Sequence, residues 1–175
     1  METTTYVEIS PEMFVTWHKR LLNLMIDVIA IIVIFLIMGF IFGVLSVFGI
    51  QGPLLWLSEM DGLTDRVFTT FVMVAYLFTM EVLTQRTLGK YVTGTMVVME
   101  DGSKPEARAI IIRALCRIIG LEALTFLGAY PRGWHDNASG TYVVDAKKYK
   151  EALAVRNSFE EIGAEQINEA AAEQI

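Results

Sequence analysis

From Leu21 to Phe48 the chain is almost wholly apolar, and Asp27 stands inside that run. A stretch of about 28 such residues exceeds the roughly 20 that a helix needs to cross a bilayer. A carboxylate within it costs roughly 2.5–3.5 kcal/mol on insertion scales. Such a residue faces a partner, a watery cavity or an ion. Arg20 marks the edge of the run. Arg20, Asn23 and Asp27 are spaced i, i+3, i+7, which places them on one helical stripe.

The apolar excess supports membrane spans. Of 175 residues, 54% are hydrophobic, whereas soluble domains average about 45–50%. The first span is expected over about 21–45. It is too long for the core of a signal peptide, lacks a clear small-x-small cleavage site, and reads as a retained helix. A second span is expected over about 67–83. Lys19 and Arg20 precede the first, Arg86 and Lys90 follow the second, and the connector between them carries Glu59, Asp61 and Asp65. The positive-inside rule therefore predicts a cytoplasmic N-terminus and an outward-facing connector.

The net charge of −6 gives no support for nucleic-acid binding. The single cysteine, Cys116, excludes an intrachain disulfide. Two histidines, His18 and His135, are too few for a confident metal site. No nucleophile is paired with a base and no cofactor motif is present, so neither an enzyme nor a cofactor is expected.

After the hairpin the character changes. Thr95–Met99 is a short β-prone run, and Asp101-Gly102 is a turn signal. They predict a small cytoplasmic β-hairpin. Residues 109–130 are apolar but carry Arg113, Arg117 and Glu122, and two paths stay open: an embedded helix bent near Gly120, or a third span. Thr141–Val144 reads as a strand. Residues 146–175 read as a charged helical tail, separate from a membrane domain over 1–145. The fold expected is all-α and membrane-bound, with this one β element.

The order of motifs resembles the RDD family of small prokaryotic membrane proteins, named for one arginine and two aspartates. Arg20 and Asp27 match the first two. Thr87-Leu88-Gly89-Lys90, Gly94 and the Met96-Val97-Val98 strand follow in family order. The Arg113-Ala114-Leu115 segment comes next, and His135-Asp136 supplies the second aspartate at Asp136. The resemblance covers roughly residues 14–145. Trp134 stands where the family usually has a smaller apolar residue, and the tail after Lys150 has no counterpart. The family is mostly without an assigned function, and cation/proton antiport has been suggested for some relatives.

Asp27 and Glu81 are candidate proton or cation sites, each about 7–11 Å below the surface by helical rise, close enough in depth to share a proton. Alternatively both acids are structural partners of Arg113 and Arg117, in a network with Arg20 and Asn23. Glu81 can also reach the interface beside Arg86. His135-Asp136 reads as a loop clamp, with Asp136 capping backbone amides and His135 at the membrane surface. Gly39 and Gly43 form a GxxxG pattern for packing on the second span or on another copy. Two functions follow: ion exchange by a homo-oligomer, or a non-enzymatic interaction and assembly module in the bilayer.

Overall fold

The computed structural model describes residues 7–119 and 132–172, with side chains to residue 163. A 3-10 turn, Pro11–Met13, leads into α1, Trp17–Val47. A short helix, α2 (Gly52–Ser58), turns the chain into α3, Gly62–Thr84. Then come α4 (Leu88–Thr93), β1 (Thr95–Met99) and α5 (Ala107–Cys116). Beyond residue 131 come α6 (Trp134–Ser139), β2 (Thr141–Asp145) and α7 (Ala146–Ala172).

Both expected spans are present, each longer than its apolar run. With 31 and 23 residues, α1 and α3 extend about 46 and 34 Å at 1.5 Å per residue. That exceeds a hydrocarbon core of about 30 Å. Helix α1 is inside-out by soluble standards. Its buried residues are Arg20, Asn23 and Asp27, while Leu36 and Phe40 are 66% and 72% exposed. Apolar side chains turned outward against polar ones turned inward suit a hydrocarbon surround. Near the α2 end, Phe35 of α1 and Trp56 of α2 both pack edge-on against Phe68 of α3. The opposite end, which carries Arg20 and Glu81, is called the base below.

At the base sits a two-stranded antiparallel sheet, β1 against β2, with Val97 opposite Val143. The sheet is as expected, but it is not a local hairpin. The Asp101-Gly102 turn closes on Met99 and Ser103, and α5 starts at Ala107, leaving no length for a return strand. The partner strand arrives instead from residues 141–145. Strand alternation gives the sheet two faces. Met96, Val98 and Val144 face a small apolar core with Met13, Ala146 and Tyr149. Thr95, Val97, Thr141 and Val143 point the other way, toward the membrane helices. Gly102 fixes the outer edge. Its φ is +80°, and a Cβ there would come within 2.1 Å of the Val7 carbonyl oxygen.

Helix α5 begins two residues before the expected position and is followed by a turn. The path of residues 120–131, and Glu122 and Gly128 with it, lies outside the described residues. Gly39 and Gly43 have open space around their Cβ positions. The GxxxG pattern therefore does not mediate a close approach of α3 to α1.

Candidate functional site: an ionic cluster at the base of the hairpin

Helix α4 brings the site together. A Cβ on Gly89 would lie 2.3 Å from the Asn23 carbonyl oxygen, so only glycine lets α4 lie against the α1 backbone. This contact delivers two of the three donors to Asp27. Thr87 Oγ1 donates to Oδ2 at 2.7 Å, and the Gly89 N–H donates to Oδ1 at 2.9 Å. Tyr76 Oη of α3 donates to Oδ1 at 3.0 Å. A carboxylate at the start of a helix also suits the positive end of the peptide dipoles. Asp27 is thus held by neutral donors. It has no ion pair with Arg113 or Arg117, contrary to one of the readings of the sequence.

One turn before Asp27, the Asn23 amide lies between two hydroxyls. With its nitrogen turned toward Thr93, it donates to Thr93 Oγ1 at 2.5 Å and to the Gly89 carbonyl at 2.9 Å, and accepts from Thr95 Oγ1 at 3.1 Å. Asn23 therefore links α1 to both α4 and β1.

The second acid has a different shell. Glu81 pairs with Lys90 of α4 and with Arg113 Nε of α5, the latter at 3.2 Å. Arg117 Nη2 stands farther off, 3.9 Å from Glu81 Oε1. Glu81 is buried and does not snorkel to the interface beside Arg86. Asp27 and Glu81 have separate partners, and no hydrogen bond joins them to share a proton.

Asp136 is the hub. It is fully buried. It pairs with Arg20 Nη1 at 2.5 Å and with Arg113 Nη1. It also accepts from the Gly133 N–H at 3.1 Å, which caps α6. The capping role was legible; the two arginines were not assigned to it. Burial alone would raise the Asp136 carboxyl, but Arg113, His135 and Arg20 outweigh it and hold it well below its usual value. His135 does not rest at a surface. It is 4% exposed, and burial lowers it to about 4 against the attraction of Asp136, 3.2 Å away. It is therefore neutral at pH 7. Burial also lowers Lys90, to about 8, with Glu81 opposing the shift.

Arg113 joins the two acids. Its guanidinium reaches Glu81, Asp136 and Thr141 of β2. Lys90 is the member that sequence reasoning treated only as a flanking charge and family motif. The available signal was its spacing: α4 begins four residues after α3 ends, which returns Lys90 alongside the last turn of α3.

Between this cluster and the Phe35–Phe68 contact lies a cavity of about 200 Å³. Arg20, Asn23, Asp27, Lys90, Arg117 and His135 line its base. Leu24, Val28, Ile31, Met73 and Leu77 are among the residues that line its apolar walls. Among the described residues no three His, Cys, Asp or Glu side chains converge to hold a metal.

The family comparison matches RDD over residues 14–140, from just before α1 through the end of α6. No curated protein and no solved structure matches the chain. The matched interval contains the hairpin, the glycine-mediated α4 contact and every residue of the ionic cluster. This chain belongs to the RDD family and is a membrane protein.

Proposed function

We propose that this chain is a non-enzymatic membrane anchoring and assembly module, in which the buried ions fasten the β element to the base of the two-helix hairpin. One observation carries the reading: among the described residues, every buried carboxylate is already engaged. Glu81 is held by Lys90 and Arg113, Asp136 by Arg20 and Arg113, and Asp27 by three neutral donors. A carboxylate offers about four lone-pair sites, and on Asp27 three donors already compete with a cation for them. The open face at Gly39 and Gly43 suits a second copy of the chain. On α7, Val155, Phe159 and Ile162 are 55%, 69% and 52% exposed at i, i+4, i+7, a stripe that suits a helical partner. In this reading the base and the N-terminus face the cytoplasm of a prokaryotic inner membrane, as the flanking charges favour.

Cation/proton exchange is the second reading. It is favoured by the position of Asp27 on the cavity wall without a cationic partner. Proteoliposome flux of Na⁺, K⁺ and H⁺, measured together with thermal unfolding, separates the two. The module reading expects no flux from the native chain and a lower melting temperature for Asp27→Asn. Native flux that Asp27→Asn abolishes at unchanged stability establishes exchange instead.

A further inference from the structure

The cavity between α1 and α3 joins two chemistries. Among the described residues, four cations of the cluster (Arg20, Lys90, Arg113, Arg117) face three carboxylates (Asp27, Glu81, Asp136). His135 is neutral and does not change the balance. The surplus falls on Arg117, whose ion pair with Glu81 is the longest in the cluster at 3.9 Å. Donors also exceed acceptors: buried Arg113 Nη2 has no hydrogen-bond partner among the described residues. Arg117 lines the cavity with Lys90 and Arg20 against the single carboxylate of Asp27, so the lining carries a net positive charge.

The walls above are apolar. Leu24, Val28 and Ile31 form the α1 side, and Met73 and Leu77 the α3 side. Val28 is 46% exposed, so that side opens toward the surrounding hydrocarbon. From Arg20 to Ile31 the helix rises about 16 Å. That is about half of a 30 Å hydrocarbon core. The charged end lies at the base, where α1 leaves its apolar run, and the apolar end points into the bilayer.

We propose that this cavity is a binding site for an anionic phospholipid, with the phosphate on Arg117 and the upper part of one acyl chain between Leu24, Val28, Met73 and Leu77. Charge complementarity selects the headgroup: one phosphate monoanion balances the cluster. The apolar walls select a lipid over a free ion. The volume admits only the phosphate and the first part of one chain, and the rest of the lipid remains in the bilayer. The proposal rests on the structural reading of the carboxylates, because a mobile cation would compete for the same cavity.

The test uses the full chain in nanodiscs of phosphatidylcholine with a minor fraction of phosphatidylglycerol. Lipid retention is read by native mass spectrometry after transfer to detergent. Retention of phosphatidylglycerol over phosphatidylcholine by at least five-fold is expected. Arg117→Gln should remove that preference while keeping the melting temperature measured in pure phosphatidylcholine. Val28→Trp, which fills the cavity from its open side, should also lower retention. Lys147→Gln, on an 85% exposed side chain outside the cavity, should leave it unchanged. Three results would overturn the proposal: no preference in the native chain, an equal loss with Lys147→Gln, or displacement of the lipid by millimolar inorganic phosphate. The last would identify a free-anion site. The flux assay of Asp27→Asn reports on the structural reading separately, so failure of one is distinguishable from failure of the other.

Discussion

The two faces of the β1–β2 pair bury side chains by different physics. Met96, Val98 and Val144 meet Met13 and Tyr149 in an apolar core. Thr95 and Thr141, on the other face, meet Asn23 and Arg113, and through Arg113 the carboxylates Glu81 and Asp136. Apolar contacts are non-directional and tolerate exchange of similar volumes. Buried ion pairs are directional, and removing one member leaves another charge exposed to a low dielectric. The same ten strand residues thus support one forgiving interface and one that is all-or-none. It is the second that ties the membrane helices to the rest of the chain.

Substitution at the hub should show the contrast most strongly. Arg113→Met strips a partner from both Glu81 and Asp136, and a cost of about 3–5 kcal/mol is expected. Denaturant unfolding in detergent measures it. A cost no larger than that of an apolar-core exchange would break the comparison.

Acid should act most strongly on the ionic face. Below about pH 6.5 an unfolded chain takes up a proton on His135 that the folded chain accepts only near pH 4. Stability is therefore lost as pH falls from 6.5 to 4, by up to about 2–3 kcal/mol at roughly 1.4 kcal/mol per pH unit. Asp136, held low by its arginines, extends the loss to lower pH in the same direction. His135→Gln should flatten the 6.5-to-4 segment of a melting-temperature profile.

Gly89→Ala tests the contact that delivers the donors to Asp27. The added methyl meets the Asn23 backbone, and overpacking of this kind costs about 1–3 kcal/mol. Thermal unfolding should fall accordingly, and amide exchange at Gly89 and its neighbours should accelerate. The smallest effect is expected at Met96→Leu, a near-isosteric exchange in the apolar core, at less than about 1.5 kcal/mol. If it matched Gly89→Ala, the apolar face would be as strict as the ionic one.

Much of the frame was legible in the sequence. The Arg20–Asn23–Asp27 stripe follows from helical spacing, and these three are indeed the buried residues of α1. A pairing of Glu81 with an arginine of the third apolar segment was one of the readings left open by the cost of lone charges in hydrocarbon, and it is the one found. Other features depend on long-range closure, which local periodicity does not encode. The partner of β1 lies about 40 residues away, and loop closure over such lengths costs little more than over short ones, so a nearby turn was an unreliable guide. Charge complementarity made the arginines one candidate shell for Asp27, beside an open ion site. Its donors are instead a hydroxyl and an amide at the start of α4 and the Tyr76 hydroxyl of α3, and the signal for the first two was a threonine and a glycine spaced to open a helix. His135 looked superficial because nothing local indicates that α6 packs against α5.

The Arg20–Asp136 pair spans 116 positions, and that separation orders events during synthesis. At about 5–20 residues per second, the ribosome makes residue 136 on the order of ten seconds after residue 20. In the later part of that interval α1 and α3 can already be in the bilayer, with Arg20 still short of its final partner. Until Asp136 emerges, the nascent hairpin must keep its charged base near lipid headgroups or against an insertion factor. A ribosome stalled before that codon would leave the hairpin without its Arg20–Asp136 lock.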